Sequence, residues 1–443
     1  MGRTVSYASG YAPEEDDFDP LADDFVSRER KYLHFDRPLS EQDRAKIRAT
    51  PSAIMSNSFW PLLAFSKTER RVKRDKKGVI TFNDKVREIK FGSHYDSAIL
   101  EHYSTNISED FEQFIKNKPI ADSILAYRRG VGNNITHANN LFEEIRQRGE
   151  TTAIAVDISG FFDNIRHEVL LENIKKVRNV ERLSDPDYKI FTRMTQFEWV
   201  DTSVIEQRLE GKFRPKGRIC NAYQFRKYLR TKGDSVVETN VKFFGIPQGT
   251  PLSGLYANIS LLGFDKELHD YFTNIGGSVR RYSDDIAILI PANVSTNDAI
   301  AFVRLKLGEV GLQLSEHKTE ISNFFFDRSA MAIVADKPFQ YLGFTFDGQN
   351  VLIRQSSLNR FYSKMKSGVH AKVLAAHRNG VAPSNIYMRE LFRKYTHFGK
   401  HRNFPRYAYR ASREMKAPEI KKQIANHFNI FKEMVRLSID SVY

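Results

Sequence analysis

Residues 151–158, Thr-Thr-Ala-Ile-Ala-Val-Asp-Ile, form an apolar run broken by a single charge, Asp157. A run this short, without polar alternation, is the pattern of a strand covered on both faces. Such a strand needs a layer above and a layer below it, and a chain of 443 residues can build both. It also leaves Asp157 to be explained, because a buried carboxylate is costly unless it is paired or bound to a cation. On its own, an acid at a strand end serves equally well as a cap for the next element.

The flanking text supplies the layers. Thr250-Pro251 forms an N-cap and first-turn proline, opening a helix with Leu255, Ile259 and Leu262 on one face. Residues 278–290 pattern as two strands folded about Tyr282-Ser283-Asp284-Asp285, residues 296–310 as a helix and 339–346 as a further strand. Upstream, 31–145 is mixed and helix-rich, with a basic hairpin between Lys67 and Lys90 turning at Lys76-Lys77-Gly78. Residues 190–225 are polar and carry no clear period. The alternation is irregular and there is no internal repeat, so the expected class is α+β: a small sheet with helices against it, flanked by two lobes.

Charge separates the two ends. The segment Arg354–Tyr443 holds 19 Lys/Arg against 5 Asp/Glu, a surplus of 14 that equals the net charge of the whole chain. A basic helical lobe of this kind suits a polyanion. Tyr395, Phe404, Tyr407 and Tyr409 lie among its cations, a mixture that also suits single-stranded RNA. The competing reading is a solvated basic face over an aromatic core. At the other end, Glu14–Asp24 contains seven acids, the mark of a solvated tail over 1–28. Cys220 is the only cysteine, which excludes an internal disulfide and a cysteine-cluster zinc site. No signal-peptide pattern and no run of ~18 apolar residues occurs, so the expectation is a cytoplasmic protein with no membrane partner.

An aspartate pair in a turn is common in ordinary hairpins. If the strand bearing Asp157 lies beside the 278–290 hairpin, however, three carboxylates meet at one end of a sheet. Oxygen-only ligands suit magnesium, which leaves positions open for substrate phosphates. Two such ions ~3.5–4 Å apart can activate a hydroxyl and steady a leaving pyrophosphate.

Five segments then appear in a familiar order: Asp157-Ile-Ser-Gly-Phe-Phe-Asp163, Gly245-Ile-Pro-Gln-Gly-Thr-Pro-Leu-Ser253, Tyr282-Ser-Asp-Asp285, Leu314-Ser-Glu-His-Lys-Thr319 and Tyr341-Leu-Gly-Phe344. Together they resemble the reverse transcriptase motifs of bacterial group II intron-like enzymes. Lys85-Val-Arg-Glu-Ile89 and Ala126-Tyr-Arg-Arg-Gly130 resemble the fingers motifs of the same enzymes. The resemblance implies RNA-directed DNA polymerase activity and a right-hand polymerase fold, with fingers in 29–150, palm in 151–350 and a helical thumb in 351–443. It implies that Asp157, Ile158, Asp284 and Asp285 hold two Mg2+ ions, for which Mn2+ can substitute, and that Lys318 is a general acid. Lys85, Arg87, Phe161, Phe162 and Gln248 would bind the incoming nucleotide, the Phe162 ring excluding a 2′-hydroxyl. Arg128, Tyr282, Tyr341, Leu342, Gly343, Arg402, Arg406 and Arg410 would contact primer and template. Read without the motifs, these are core aromatics, turn residues and solvated cations.

The stretch His34-Phe-Asp-Arg-Pro-Leu39, the Lys85–Tyr103 segment and Arg280-Arg-Tyr-Ser-Asp-Asp285 are similar to bacterial defence-associated reverse transcriptases, nearest to the type 2 antiphage group. Members of that group copy a non-coding RNA encoded beside them into repetitive DNA. Ser283 stands where alanine or cysteine is more familiar. The implied partners are a non-coding RNA template, its DNA product and dNTPs, with a monomer on bound RNA favoured. Three alternatives remain open: a non-catalytic RNA-binding or splicing cofactor on this scaffold, a group II intron-type reverse transcriptase, and an RNA-making palm polymerase, against which Phe162 argues.

Overall fold

The computed structural model describes residues 32–48, 50, 52–74, 80–210, 217–398 and 403–443. The acidic stretch Glu14–Asp24, the Lys76-Lys77-Gly78 turn and Arg402 lie outside the described residues.

The basic N-terminal text forms a long hairpin, β1 (Leu62–Arg74) and β2 (Ile80–Phe91), in register from Leu63 opposite Phe91 to Arg74 opposite Ile80. Helix α1 (His94–Ile115) follows, its N-cap Ser93 accepting from the Asp96 amide. Helix α2 (Asn134–Arg148) leads into β3 (Thr151–Ser159). After β3 come α3 (Phe161–Asn164) and α4 (His167–Arg178).

The segment that carried no period, 190–225, extends the N-terminal sheet. Strand β4 (Glu198–Asp201) lies parallel to β1, with Leu62 opposite Trp199, and β5 (Glu238–Thr239) adds a fourth strand, giving the order β2-β1-β4-β5.

Beyond it, α5 (Ser253–Ser260) and α6 (Leu262–Asn274) precede the hairpin β6 (Ser278–Tyr282) and β7 (Asp285–Pro291), then α7 (Thr296–Glu309), β8 (Glu320–Asp327) and β9 (Ala332–Ala335). The central sheet runs β9-β8-β3-β7-β6, so the apolar run is its middle strand, as its composition demands. The period of two is present but hidden by apolar residues on both faces. Ile154, Val156 and Ile158 join Ile286, Ile288 and Ile290 in the core shared with α1 and α4–α7. Ala153 joins Ala287 and Leu289 in a second core with α2. Burying each of the large side chains contributes about 1.5–3 kcal/mol. Asp157 and Asp285 are direct partners and share the face of Ala153 and Ala287, where small side chains line the sheet.

Two expectations shift. The helix after Thr250-Pro251 starts at Ser253; the Thr250 hydroxyl bonds Ser253 Oγ at 2.7 Å instead of capping. Residues 339–346 form a hairpin, not one strand: β10 (Phe339–Tyr341) and β11 (Phe344–Phe346) reverse at Leu342 (φ 45°) and Gly343 (φ 89°), and β12 (Val351–Ile353) completes a three-stranded sheet.

The basic end is helical as expected, with α8 (Gln355–Arg378), α9 (Phe404–Glu414) and α10 (His427–Val442). Met365, Val369, Val373 and Phe431 form a core of its own between α8 and α10. Among the described residues no helix is long and apolar enough to cross a membrane.

Candidate active site

The ladder between β3 and β7 ends on two acids. Asp157 is the register partner of Asp285, and the Ile158 amide donates to the Asp284 carbonyl at 3.0 Å. Three carboxylates therefore share one sheet end, as the sequence implied. The segment 313–314 pairs with the end of β3, and the Ser315 amide donates to the Asp157 carbonyl at 2.8 Å. That pairing brings Lys318 into direct contact with the Asp157 carboxylate.

The acids are crowded. Burial, then the charge of Asp157, raises the Asp284 pKa. Asp285 keeps exposed surface at the cleft, yet loss of water followed by the charges of Asp284 and Asp157 pushes it up to about 7. Among the described residues no three His, Cys, Asp or Glu side chains are gathered so as to hold a metal ion as they stand; the Lys318 ammonium lies against Asp157. The donor chemistry nevertheless fits a divalent cation, because carboxylates that repel one another are what a hard cation relieves. The Ile158 side chain is buried in the core, so only its backbone could reach an ion.

Of the residues expected at the nucleotide, Phe161 is corrected. Its side chain is 4 % exposed and packs in the core, so only its backbone could meet a nucleotide. Phe162, its ring 5.5 Å from that of Phe161, packs on the edge of the same core and is half-buried. Its carbonyl accepts from the Ile246 amide at 2.9 Å, which ties it to the loop carrying Gln248. Gln248 is exposed, and its carbonyl accepts from the Lys90 amide at 2.9 Å. Gly249 permits that approach: its φ is 121°, and a Cβ there would sit 2.8 Å from the Lys90 carbonyl oxygen. Arg87 and Lys85 lie on β2 opposite Lys67 and Glu69; the Lys85 side chain lies outside the described residues.

Arg128 is also corrected. Its guanidinium is turned inward, with Nε and Nη2 on Glu112 at 2.9 and 2.8 Å and Nη1 on the carbonyls of Ala121 and Ile124. Those bonds use four of its five N–H donors to lock the turn after α1. Tyr341 is 4 % exposed, and its hydroxyl has no hydrogen-bond partner among the described residues. The Leu342 and Gly343 carbonyls accept from Asn134 Nδ2 (3.3 Å) and the Arg354 amide (2.9 Å). Tyr282 is half-buried beside His137. Arg406 is exposed on α9, whereas Arg410 lies 3.8 Å from Glu414.

Sequence reasoning missed a groove of about 500 Å3 on α8, lined by Arg360, Ser363, Lys364, Ser367, Gly368, Lys394 and Tyr395. None of these lining residues is acidic. The signal was present: these α8 residues repeat at helical spacing opposite the apolar stripe of Phe361, Met365 and Val369.

Residues 97–346 match the family model described as reverse transcriptase (RNA-dependent DNA polymerase). No curated protein matches the chain. Among solved structures, apo telomerase from Candida tropicalis is similar at 9 % identity, covering 91 % of this chain and 68 % of that one with a TM-score of 0.43. Telomerase from Candida albicans in complex with a fragment of telomeric RNA is similar at 11 % identity, covering 90 % and 66 %, with a TM-score of 0.38. The matched region spans more than half of the chain and contains the sheet, its three acids and the loop of Gln248, so this α+β protein with a right-hand polymerase fold belongs to the reverse transcriptase family of RNA-directed DNA polymerases.

Proposed function

We propose that this reverse transcriptase extends DNA on an RNA template with Asp157, Asp284 and Asp285 as the acids that hold two magnesium ions. The observation that carries this reading is the register of β3 on β7, which sets Asp157 opposite Asp285 with Asp284 in the adjoining turn. Bound there, Mg2+ or Mn2+ supplies activation of the primer hydroxyl and neutralisation of the leaving pyrophosphate. Lys318, released from Asp157, stands where it can hand a proton to the departing phosphates. Phe162 closes the space beside the sugar 2′-carbon, and Gln248 offers its amide to the base pair or sugar. Arg87 and Lys85 reach the triphosphate from the β1–β2 hairpin, the fingers. Arg406 and the groove on α8 take phosphates along the thumb.

The narrower reading is that the template is a non-coding RNA encoded beside the gene, copied in the bacterial cytoplasm as part of phage defence, by a monomer with its RNA bound. Its support is the similarity of 34–39, 85–103 and 280–285 to the defence-associated enzymes. Primer extension with dNTPs or NTPs tests the catalytic reading. DNA is expected with dNTPs, lost in Asp157→Asn and Asp284→Asn while RNA binding persists. Wild-type rates in either variant refute the triad, and a product made from NTPs returns the RNA-polymerase alternative. Sequencing the nucleic acid that co-purifies with the protein tests the template; random cellular RNA would refute it.

A further inference from the structure

The tetrad at the active site contains a serine, and the structure gives that serine a partner. Ser283 has φ 61° and Tyr127 has φ 58°, left-handed conformations that residues other than glycine seldom adopt. The two hydroxyls meet at 3.0 Å. They belong to segments 156 positions apart in the chain, and each is held in its conformation from behind.

Behind Tyr127 is Gly254 on α5: a Cβ at that position would lie 2.4 Å from the tyrosine ring, so the ring seats directly on helix backbone. Behind Ser283 is Arg281, fully buried, whose Nη1 donates to the Ser283 carbonyl at 3.2 Å and to Asn258 Oδ1 at 3.1 Å. Asn258 Nδ2 donates in turn to the carbonyl of Ala126, next to Tyr127. The circuit therefore closes on itself, from the Ser283 hydroxyl through Tyr127 and Ala126 to Asn258 and Arg281, and back to the Ser283 carbonyl. The 123–125 segment is further stitched to β6, where Arg281 N donates to the Ser123 carbonyl at 2.7 Å and Leu125 N to the Arg281 carbonyl at 2.9 Å.

From this circuit we infer that Tyr127 and Ser283 are positioning residues for DNA synthesis, their hydroxyl–hydroxyl bond fixing where the Asp284-Asp285 turn presents its carboxylates. The inference rests on the reading that those acids act in the reaction. An alanine at 283 would remove the one side-chain bond that ties the turn to Tyr127, leaving it to its backbone contacts with Arg281 and Ile158. Small shifts of the turn matter, because catalytic groups lose rate steeply when misplaced by about an ångström. It also accounts for serine at a position where a small apolar residue would fill the same space.

The test uses Tyr127→Phe, Ser283→Ala, Ser283→Gly and the Tyr127→Phe/Ser283→Ala double variant of the full chain. Tyr127→Phe keeps the ring on Gly254, and Ser283→Gly removes the hydroxyl while easing the backbone. Each single variant is expected to lower kcat about tenfold with KM for dNTP within twofold, and the double variant to be no slower than either single. Amide hydrogen exchange at 283–285 is expected to quicken in all four without nucleotide present. Wild-type kcat in Tyr127→Phe, losses that multiply in the double variant, or unchanged exchange overturns the inference. Full activity in Ser283→Gly shows that backbone shape alone is needed, which overturns it too. Asp284→Asn serves as the separator: if it remains active, the active-site reading has failed, whereas if it is inactive while the hydroxyl variants match wild type, only the positioning role has failed.

Discussion

The most exacting prediction concerns the ion pair beside the Asp284-Asp285 turn. Arg281 and Asp265 are 2 % and 3 % exposed, and the guanidinium grips the carboxylate through Nε and Nη2, both at 2.6 Å. Burial raises the Asp265 pKa despite the guanidinium beside it, so desolvation outweighs the attraction it receives. Removing one partner then strands the other. Asp265→Asn should cost about 3–5 kcal/mol, because a buried guanidinium loses its counter-charge. The double variant Arg281→Met/Asp265→Leu should cost less, about 1–3 kcal/mol: apolar residues of similar volume escape the desolvation penalty, but the buried Asn258 Oδ1 and Ser283 carbonyl lose their donor. Its DNA synthesis should nevertheless fall by an order of magnitude or more, because the Ser283 carbonyl and Asn258 lose the Nη1 donor. Urea unfolding followed by near-ultraviolet circular dichroism, with primer extension alongside, measures both. A single variant costing under about 1 kcal/mol, or a stable double variant with wild-type synthesis, refutes the reasoning.

Phe162→Ala should admit ribonucleotides, raising rNTP relative to dNTP incorporation by at least tenfold in single-nucleotide extension; an unchanged ratio makes Phe162 a packing residue. His34 is fully buried, and burial first, then the charge of His94, pushes its pKa down to about 3 from 6.5. The fold thus holds it neutral, and its stabilising contribution, complete above pH 6.5, is lost as pH falls towards 3; between pH 7.5 and 5 the loss should be about 2 kcal/mol. His34→Gln should remove that increment from the acid dependence of urea unfolding, and an identical pH profile would count against it. Replacing Arg360, Lys364 and Lys394 together by glutamine should weaken RNA binding and flatten its logarithmic salt dependence by up to about three units. Unchanged affinity and slope would make the α8 groove a solvated surface.

What the sequence disclosed depended on whether a residue's neighbours are local. The middle strand and its acid were legible because a doubly covered strand has a composition of its own, and the hairpin of β6 and β7 because its turn is polar. The polar segment 190–225 was not, since its strand β4 is stabilised by joining β1, far away in the chain. Phe161 and Phe162 are indistinguishable as text. Their fates part only in the fold, where Phe161 is buried in the core and Phe162, beside it in α3, keeps exposed surface at the core's edge. Arg128 had the composition of a nucleic-acid contact, and only the proximity of Glu112 on α1 turns it inward. Arg281 was readable in principle: alternation along Ser278–Tyr282 puts it on the face of Val279, and Asp265 interrupts the apolar stripe of Leu262, Leu268 and Phe272. A buried cation and a buried acid, each visible as a break in an apolar pattern, predict one another.

The proposed defence-associated role rests on stretches that occupy unequal places in the fold. The stretches 34–39 and 85–103 are separate in sequence but form one joint in space. His34 and Phe91 stand edge to face at 5.9 Å, Tyr32 stacks on His94 at 4.3 Å, and the Asp36 carboxylate accepts from the amides of His94 and Tyr95 at 3.0 and 2.8 Å. Asp36 thereby satisfies the first amides of α1, as an N-terminal carboxylate should. A likeness in both stretches is therefore one observation, because a change on either side of the joint demands a change on the other. The third stretch is independent of the joint and differs in kind. Its Ser283 is buried beside Asp284, and its hydroxyl bonds Tyr127 and also bears on the Asp284 carboxylate. Of the three stretches, the one that holds this serine has the shortest physical path to the Asp284-Asp285 turn.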